Sequence, residues 1–163
     1  MAKIYQSITE LVGNTPLVRL SKLAAHHKLK AEILGKCEFY NPVFSVKDRV
    51  ALKMLEKIPP EKIGPETVFL DATSGNTGIG LAAICAAKGY KLVIVMPENM
   101  SAERVKLMKH FGADVILTPA EDGMKGAVKK AEILAQKNPN VIWLKQFENK
   151  ANPGAHTLGT AME

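Results

Sequence analysis

The sequence predicts an α/β fold: a parallel four-stranded sheet with helices on both faces. Four short apolar runs, residues 68–72, 92–96, 115–117 and 141–144, suit buried parallel strands and alternate with stretches of helical pattern. Gly89 and Gly112 stand where helices of that pattern should close. A chain of 163 residues, 47% apolar and 23% charged, has ordinary globular composition and can build one substantial core.

Residues 1 to about 40 stand apart from this alternation. Leu17–Leu20 and Ala31–Cys37 read as strands on either side of a short helix at Lys22–Lys28. Next comes a helix from Val46 to Ile58. Ser45 suits its N-cap, Asp48 stands three residues on as in a capping box, and Pro59-Pro60 stops it. Lys47 therefore falls in a first helical turn, where the helix dipole opposes the ammonium form. A free amine condenses with carbonyls, but a lysine near pKa ~10.4 must be shifted or desolvated to act so. The plainer reading is a solvated lysine with a loose Asp48 partner.

Val68–Ala72 is the first sheet strand, and Gly78–Ala87 reads as a buried helix. Between them lies Thr73-Ser74-Gly75-Asn76-Thr77. Free backbone N–H groups at a helix start, beside three hydroxyls and a carboxamide, form a cradle sized for a carboxylate or phosphate. The plainer alternative is an ordinary glycine-bearing strand-to-helix turn. Gly75, Gly78 and Gly80 read G-x-x-G-x-G rather than the dinucleotide G-x-G-x-x-G, and no Gly-Lys-Ser/Thr phosphate loop is present. Ligands of such sheets sit beyond the carboxyl ends of strands, where this loop falls.

Leu92–Met96, Val115–Leu117 and Val141–Leu144 complete the sheet, with helices at Ala102–Phe111 and Gly123–Gln136 between them. In the first of these helices Val105, Leu107, Met108 and Phe111 are expected to face the core, with Arg104, Lys106 and Lys109 toward solvent. Gln146, just past the last strand, could simply satisfy backbone groups.

Net charge is +6, but the basic residues are spread along helices and only 6% of residues are aromatic, which argues against a nucleic-acid surface. Cys37 and Cys85 lack C-x-x-C spacing and read as buried free thiols. His26, His27, His110 and His156 show no ligand spacing, so no metal site is expected. No leader segment and no membrane-length apolar run is visible, and a cytoplasmic location is expected.

Five ordered motifs carry a family resemblance: Ser7-Ile8-Thr9-Glu10-Leu11-Val12-Gly13-Asn14-Thr15-Pro16-Leu17, Asn41-Pro42-Val43-Phe44-Ser45-Val46-Lys47-Asp48-Arg49, Thr73-Ser74-Gly75-Asn76-Thr77-Gly78, Met96-Pro97-Glu98-Asn99-Met100-Ser101 and Gln146-Phe147-Glu148-Asn149. Together they closely resemble cysteine synthase, the O-acetylserine sulfhydrylase family of pyridoxal-phosphate enzymes, and the likeness spans essentially the whole chain. The resemblance implies the small lobe of the tryptophan synthase β-like fold over residues 41–155. Residues 1–40 would then belong to an incomplete large lobe, and 156–163 would begin the return to it.

By the same resemblance Lys47 carries pyridoxal phosphate as a Schiff base and removes the substrate α-proton, and Asn76 bonds the ring oxygen. Thr73, Ser74, Gly75, Asn76, Thr77 and Gln146 make up the substrate site. The implied reaction replaces the acetate of O-acetyl-L-serine with sulfide, giving L-cysteine. Family members also carry a Gly/Thr-rich cup for the cofactor phosphate, and no such run occurs before Glu163. Three alternatives follow: an inactive lobe that binds a carboxylate-ended peptide such as the serine acetyltransferase tail, a cystathionine-forming relative, or the front part of a longer homodimeric enzyme. The N-terminal strands, lacking partners, are expected to present open edges.

Overall fold

The computed structural model describes residues 3–163, so the first two residues of the N-terminal segment lie outside the described residues. Strand β1 (Leu17–Arg19), helix α1 (Ser21–His26) and strand β2 (Leu34–Lys36) come first. Then α2 (Lys47–Glu56), β3 (Val68–Ala72), α3 (Asn76–Lys88), β4 (Lys91–Pro97), α4 (Ala102–His110), β5 (Asp114–Thr118), α5 (Gly123–Lys137), β6 (Val141–Trp143) and α6 (Ala151–Thr157) follow in turn. The last four strands form one parallel sheet in the order β5-β4-β3-β6.

That order positions everything else. The chain winds from β3 through β4 to β5, then crosses back to lay β6 against the other side of β3. The direction of winding reverses between β3 and β6, and a crevice opens past the carboxyl ends of strands at such a switch point.

Helices cover both faces, unequally. Ala127 and Ala131 of α5 pack alone on Leu70, Ala72 and Val95. The larger core lies opposite, where Val50 and Met54 of α2, Leu81 and Ile84 of α3, Met108 of α4 and Ala151 and Ala155 of α6 close over Phe69, Ile94 and Met96. Each large apolar side chain so buried contributes about 1.5–3 kcal/mol. Gly89 ends α3 in the left-handed region, φ +69°, as expected of a helix-closing glycine.

Three expectations need correction. Leu107 is 38% exposed, while Met108 is buried and Val105 and Phe111 pack partly on the core. Residues 105, 108 and 111 recur every three positions on one face, and 107 lies about 100° away from 108, too far round for α4 to bury it. Cys85 is buried, its thiol pushed up to about 12 by burial, but Cys37 is only half-buried because β2 is covered poorly. Strand β2 is also shorter than expected. Leu20 N donates to Ile33 O at 2.9 Å, but Ser21 already starts α1, so residues 31 and 32 have nothing to pair with.

The β1–β2 pair is antiparallel, and Leu17, Val18 and Leu34 on it are exposed. What holds this segment down is polar. Arg49 of α2, its side chain 5% exposed, donates from Nε and Nη2 to Glu38 at 2.8 and 2.9 Å and from Nη1 and Nη2 to Glu163 at 2.5 and 2.7 Å. Lys36 Nζ reaches Glu163 at 2.7 Å, the Asn14 and Thr15 N–H groups donate to the same carboxylate, and Thr15 Oγ1 donates to Glu38. Two cations and two carboxylates balance, which is how charges tolerate burial. Arg49 holds the Glu163 carboxyl far below the usual range. Burial raises the Glu38 carboxyl, but hydrogen bonds from Arg49, Thr15 and Asn41 outweigh it and leave it lowered.

Candidate functional site

Lys47 is the first residue of α2 and is half-buried. Its backbone N–H donates to Ser45 Oγ at 3.1 Å, and Ser45 Oγ donates to Asp48 Oδ1 at 3.2 Å. The expected capping box does not form: α2 starts at Lys47 with Val46 rather than Ser45 as its N-cap and no side-chain cap, and Asp48 Oδ2 instead accepts from Val43 N at 2.7 Å. Asp48 is fully buried, and burial raises its carboxyl despite those two hydrogen bonds. Its carboxylate is thus committed to the 43–45 turn. Among the described residues Lys47 Nζ has no ion-pair or hydrogen-bond partner, so the loose Asp48 pairing does not form.

The turn before Lys47 is unusual. Phe44 adopts φ +63°, a region that bulky residues avoid, and its ring is 77% exposed. Lys145, directly before Gln146, has φ +51°. Backbone held in that region costs on the order of 1–3 kcal/mol and concentrates at functional sites.

Residues 73–77 link β3 to α3 as expected. Thr73 is buried, its N–H bonded to Val95 O at 3.1 Å and its Oγ1 accepting from Gly75 N at 3.4 Å. Ser74 O accepts from Arg104 Nη1 of α4 at 3.2 Å, and Gly78 N turns back to Gly75 O at 3.0 Å. The N–H groups of Ser74, Asn76 and Thr77 have no partner among the described residues. Thr77 is buried and Asn76 exposed. A Cβ on Gly75 would meet nothing within 4 Å, so internal packing does not demand glycine there. At Gly78 it would stand 2.7 Å from Thr73 Cγ2 and 3.1 Å from Met108, which does demand it.

Packing brings Lys47 and this loop together. Helices α2 and α3 approach so closely at Gly80 that a Cβ there would lie 3.1 Å from Lys47 O and 3.2 Å from Ala51 Cβ. Gly80 is one turn into α3 from Asn76, so the start of α2 is held against the start of α3. Gln146 arrives from the other side of the switch point. It is 7% exposed, its Nε2 donates to Ala72 O at 2.8 Å, and Asn152 Nδ2 holds its C=O at 2.9 Å. One carboxamide N–H is thus spent on β3, as the plainer reading foresaw, and the rest of the group stays beside Thr73.

The sequence reading passed over Asp71. It lies on β3, is 1% exposed, and its Oδ1 accepts from Gln146 N at 3.4 Å. Burial pushes its carboxyl up to about 6 against the N–H donors around it. A carboxylate inside an otherwise apolar strand was the signal that could have found it.

The comparisons agree with this fold. A family model described as "Pyridoxal-phosphate dependent enzyme" matches residues 8–163. The "Probable cysteine synthase" of Bacillus subtilis (strain 168) is 48% identical over 166 residues, covering 100% of this chain and 52% of its own length. Among solved structures, O-acetyl serine sulfhydrylase isoform 3 from Entamoeba histolytica superposes with a TM-score of 0.90 at 43% identity, over 98% of this chain and 49% of that one. A hydrogen sulfide-producing enzyme from Fusobacterium nucleatum gives 0.87 at 46% identity, over 98% and 52%. The chain spans about half the length of the relatives it matches.

Proposed function

The chain belongs to the family of pyridoxal-phosphate dependent enzymes, and from that premise we propose that it is the lysine-bearing and carboxylate-binding part of a cysteine synthase, which replaces the acetate of O-acetyl-L-serine with sulfide. The carrying observation is the convergence at the switch point. Half-buried Lys47 starts the helix that packs against α3 at Gly80, and at the ends of β3 and β6 stand the N–H groups of the loop, three of them unpaired among the described residues, and the buried Gln146 carboxamide.

These residues fit the cofactor's needs. Bound there, pyridoxal phosphate supplies an electron sink for the charge left at Cα when its proton departs. Lys47 holds the cofactor and takes that proton at Nζ, and Asn76 holds the ring oxygen. The free N–H groups of the loop, with Thr73, Ser74, Gly75, Thr77 and Gln146, fix the substrate carboxylate, so Cα is aimed at the amine. No residue of the chain is assigned to the cofactor phosphate. Asp48 and Ser45 keep the turn before Lys47 fixed without touching the reacting atoms.

Incubation with pyridoxal phosphate followed by borohydride should place the cofactor on Lys47. Modification spread over surface lysines instead would count against the assignment. Relatives described as cysteine synthases favour synthesis, and L-cysteine formation from O-acetylserine and sulfide, compared with sulfide release from cysteine, measures the direction.

A second reading rests on the same unpaired N–H groups, which need no cofactor to bind a carboxylate. In it the loop docks a carboxylate-ended acidic peptide such as the serine acetyltransferase tail. Calorimetry on the unmodified chain and on Asn76→Ala separates the two: peptide binding without cofactor uptake favours docking. The domain reading (1–40 with a large lobe, 41–155 the substrate lobe, 156–163 returning), a homodimer and a cytoplasmic location belong to this proposal. Among the described residues no helix is long and apolar enough to cross a membrane.

A further inference from the structure

Asp71 is a charge the reaction does not use, buried directly behind the site. Gln146 N donates to its Oδ1 at 3.4 Å, and the N–H groups of Ala72 and Lys145 and the Trp143 indole also favour its charged form. Its Oδ2 and Trp143 Nε1 are both buried without a hydrogen-bond partner among the described residues. Burial favours the neutral carboxyl and the N–H donors favour the carboxylate, so the donors hold the charged form only above the raised midpoint.

Three of these four donors, Trp143, Lys145 and Gln146, belong to the segment that carries Gln146. Lys145 is held at positive φ, Leu144 N bonds Leu70 O at 2.8 Å, and Asn149 Nδ2 holds Leu144 O at 2.8 Å. We propose that Asp71 is a positioning residue: its carboxylate clamps the Lys145–Gln146 turn onto the end of β3 and so keeps the Gln146 carboxamide at the rim of the carboxylate cradle. The inference rests on the carboxylate-binding reading of Gln146 given above.

No other titratable group confuses the assignment. Lys145 Nζ lies over the Trp143 ring at 4.7 Å and 3.9 Å from Glu148, at the surface. Strand β4 has Lys91 at its far end, paired with Glu66, and α3 has no charged residue before Lys88. Lys125, Lys129, Lys130 and Glu132 of α5 face solvent, and on α2 Asp48 and Arg49 are engaged with their own partners.

Trp143 is the sole tryptophan, so the chain carries its own reporter. The test follows the Trp143 indole N–H and the Gln146 carboxamide by nitrogen-15 NMR from pH 4.5 to 8. In the unmodified chain both signals should shift together with a midpoint near 6, and in Asp71→Asn neither should. A shift that persists in Asp71→Asn, or one seen at Trp143 but not at Gln146, overturns the proposal. Should Asp71→Asn not fold, the carbon-13 carboxyl signal of Asp71 in the unmodified chain decides: its midpoint must coincide with theirs, and a separate midpoint is the overturning result. L-serine binding across the same range should weaken by up to about tenfold per pH unit below the midpoint, and stay flat in Asp71→Asn. Absence of serine binding at every pH would instead refute the carboxylate cradle, and the NMR result would still decide the clamp.

Discussion

Replacing Gly80 with alanine or valine tests whether the contact between α2 and α3 sets the place of Lys47. In an isolated helix Gly→Ala gains about 1 kcal/mol. Here the new methyl would stand 3.1 Å from Lys47 O, 3.3 Å from Lys47 C and 3.2 Å from Ala51 Cβ, and two of these neighbours are backbone atoms that no rotamer change can move. The start of α2 must back away by a few tenths of an ångström, and overpacking of this kind costs about 1–3 kcal/mol. The two terms leave Gly80→Ala about 0–2 kcal/mol less stable. Valine adds two more methyls and a branched Cβ that helices disfavour, and should fall about 3 kcal/mol below the unmodified chain. Urea denaturation followed by circular dichroism measures the loss, and borohydride trapping at subsaturating pyridoxal phosphate measures the displacement of Lys47. If Gly80→Val is as stable as the unmodified chain and traps cofactor equally well, close packing at Gly80 does not position the lysine.

Asp71→Asn should stabilise the fold at pH 7. Because the native carboxyl titrates at about 6 and the unfolded one near 3.8, that residue's stability is fully present below pH 3.8 and lost as pH rises through 6, about 3 kcal/mol in all. The variant's advantage should vanish in urea titrations near pH 4, and an equal advantage at both ends of the range would contradict the burial argument. Glu163→Gln has the opposite dependence. Its carboxyl is lowered in the native state, so its contribution, about 1–3 kcal/mol with Glu38 still facing Arg49, is present at pH 7 and lost as pH falls through its native pKa. A gap between unmodified chain and Glu163→Gln that did not narrow from pH 5 to 2.5 would tell against the ion pair. Lys47→Ala should abolish cofactor trapping and leave stability within about 0.5 kcal/mol, since Nζ makes no polar contact among the described residues; a large loss of stability would mean the lysine is structural.

The α/β core was legible because its signals are local. Apolar runs at 68–72 and 92–96 and the helix-closing Gly89 each follow from a few neighbouring residues, and the strands match within a residue or two. Lys47, the 73–77 loop and Gln146 were legible as motifs, and the fold explains their company: β6 inserts beside β3, which no short stretch of sequence announces. What escaped notice depends on contacts between distant residues. Arg49 and Glu163 are 114 positions apart, and Asp71 and Gln146 are 75 apart. Leu107 was misjudged for a different reason, since hydrophobicity alone does not say how wide a stripe the neighbouring sheet and helix can cover.

The Arg49 cluster also constrains how the polypeptide is made. Residues 14 and 15 bond a glutamate about 149 positions later, and closing a loop of that size costs about 4 kcal/mol of chain entropy. At about 5–20 residues per second, about 7–30 s pass before Glu163 can join them. Until then the ribbon that exposes Leu17, Val18 and Leu34 is held only by the contacts among Thr15, Lys36, Glu38 and Arg49, and Glu163 completes the cluster.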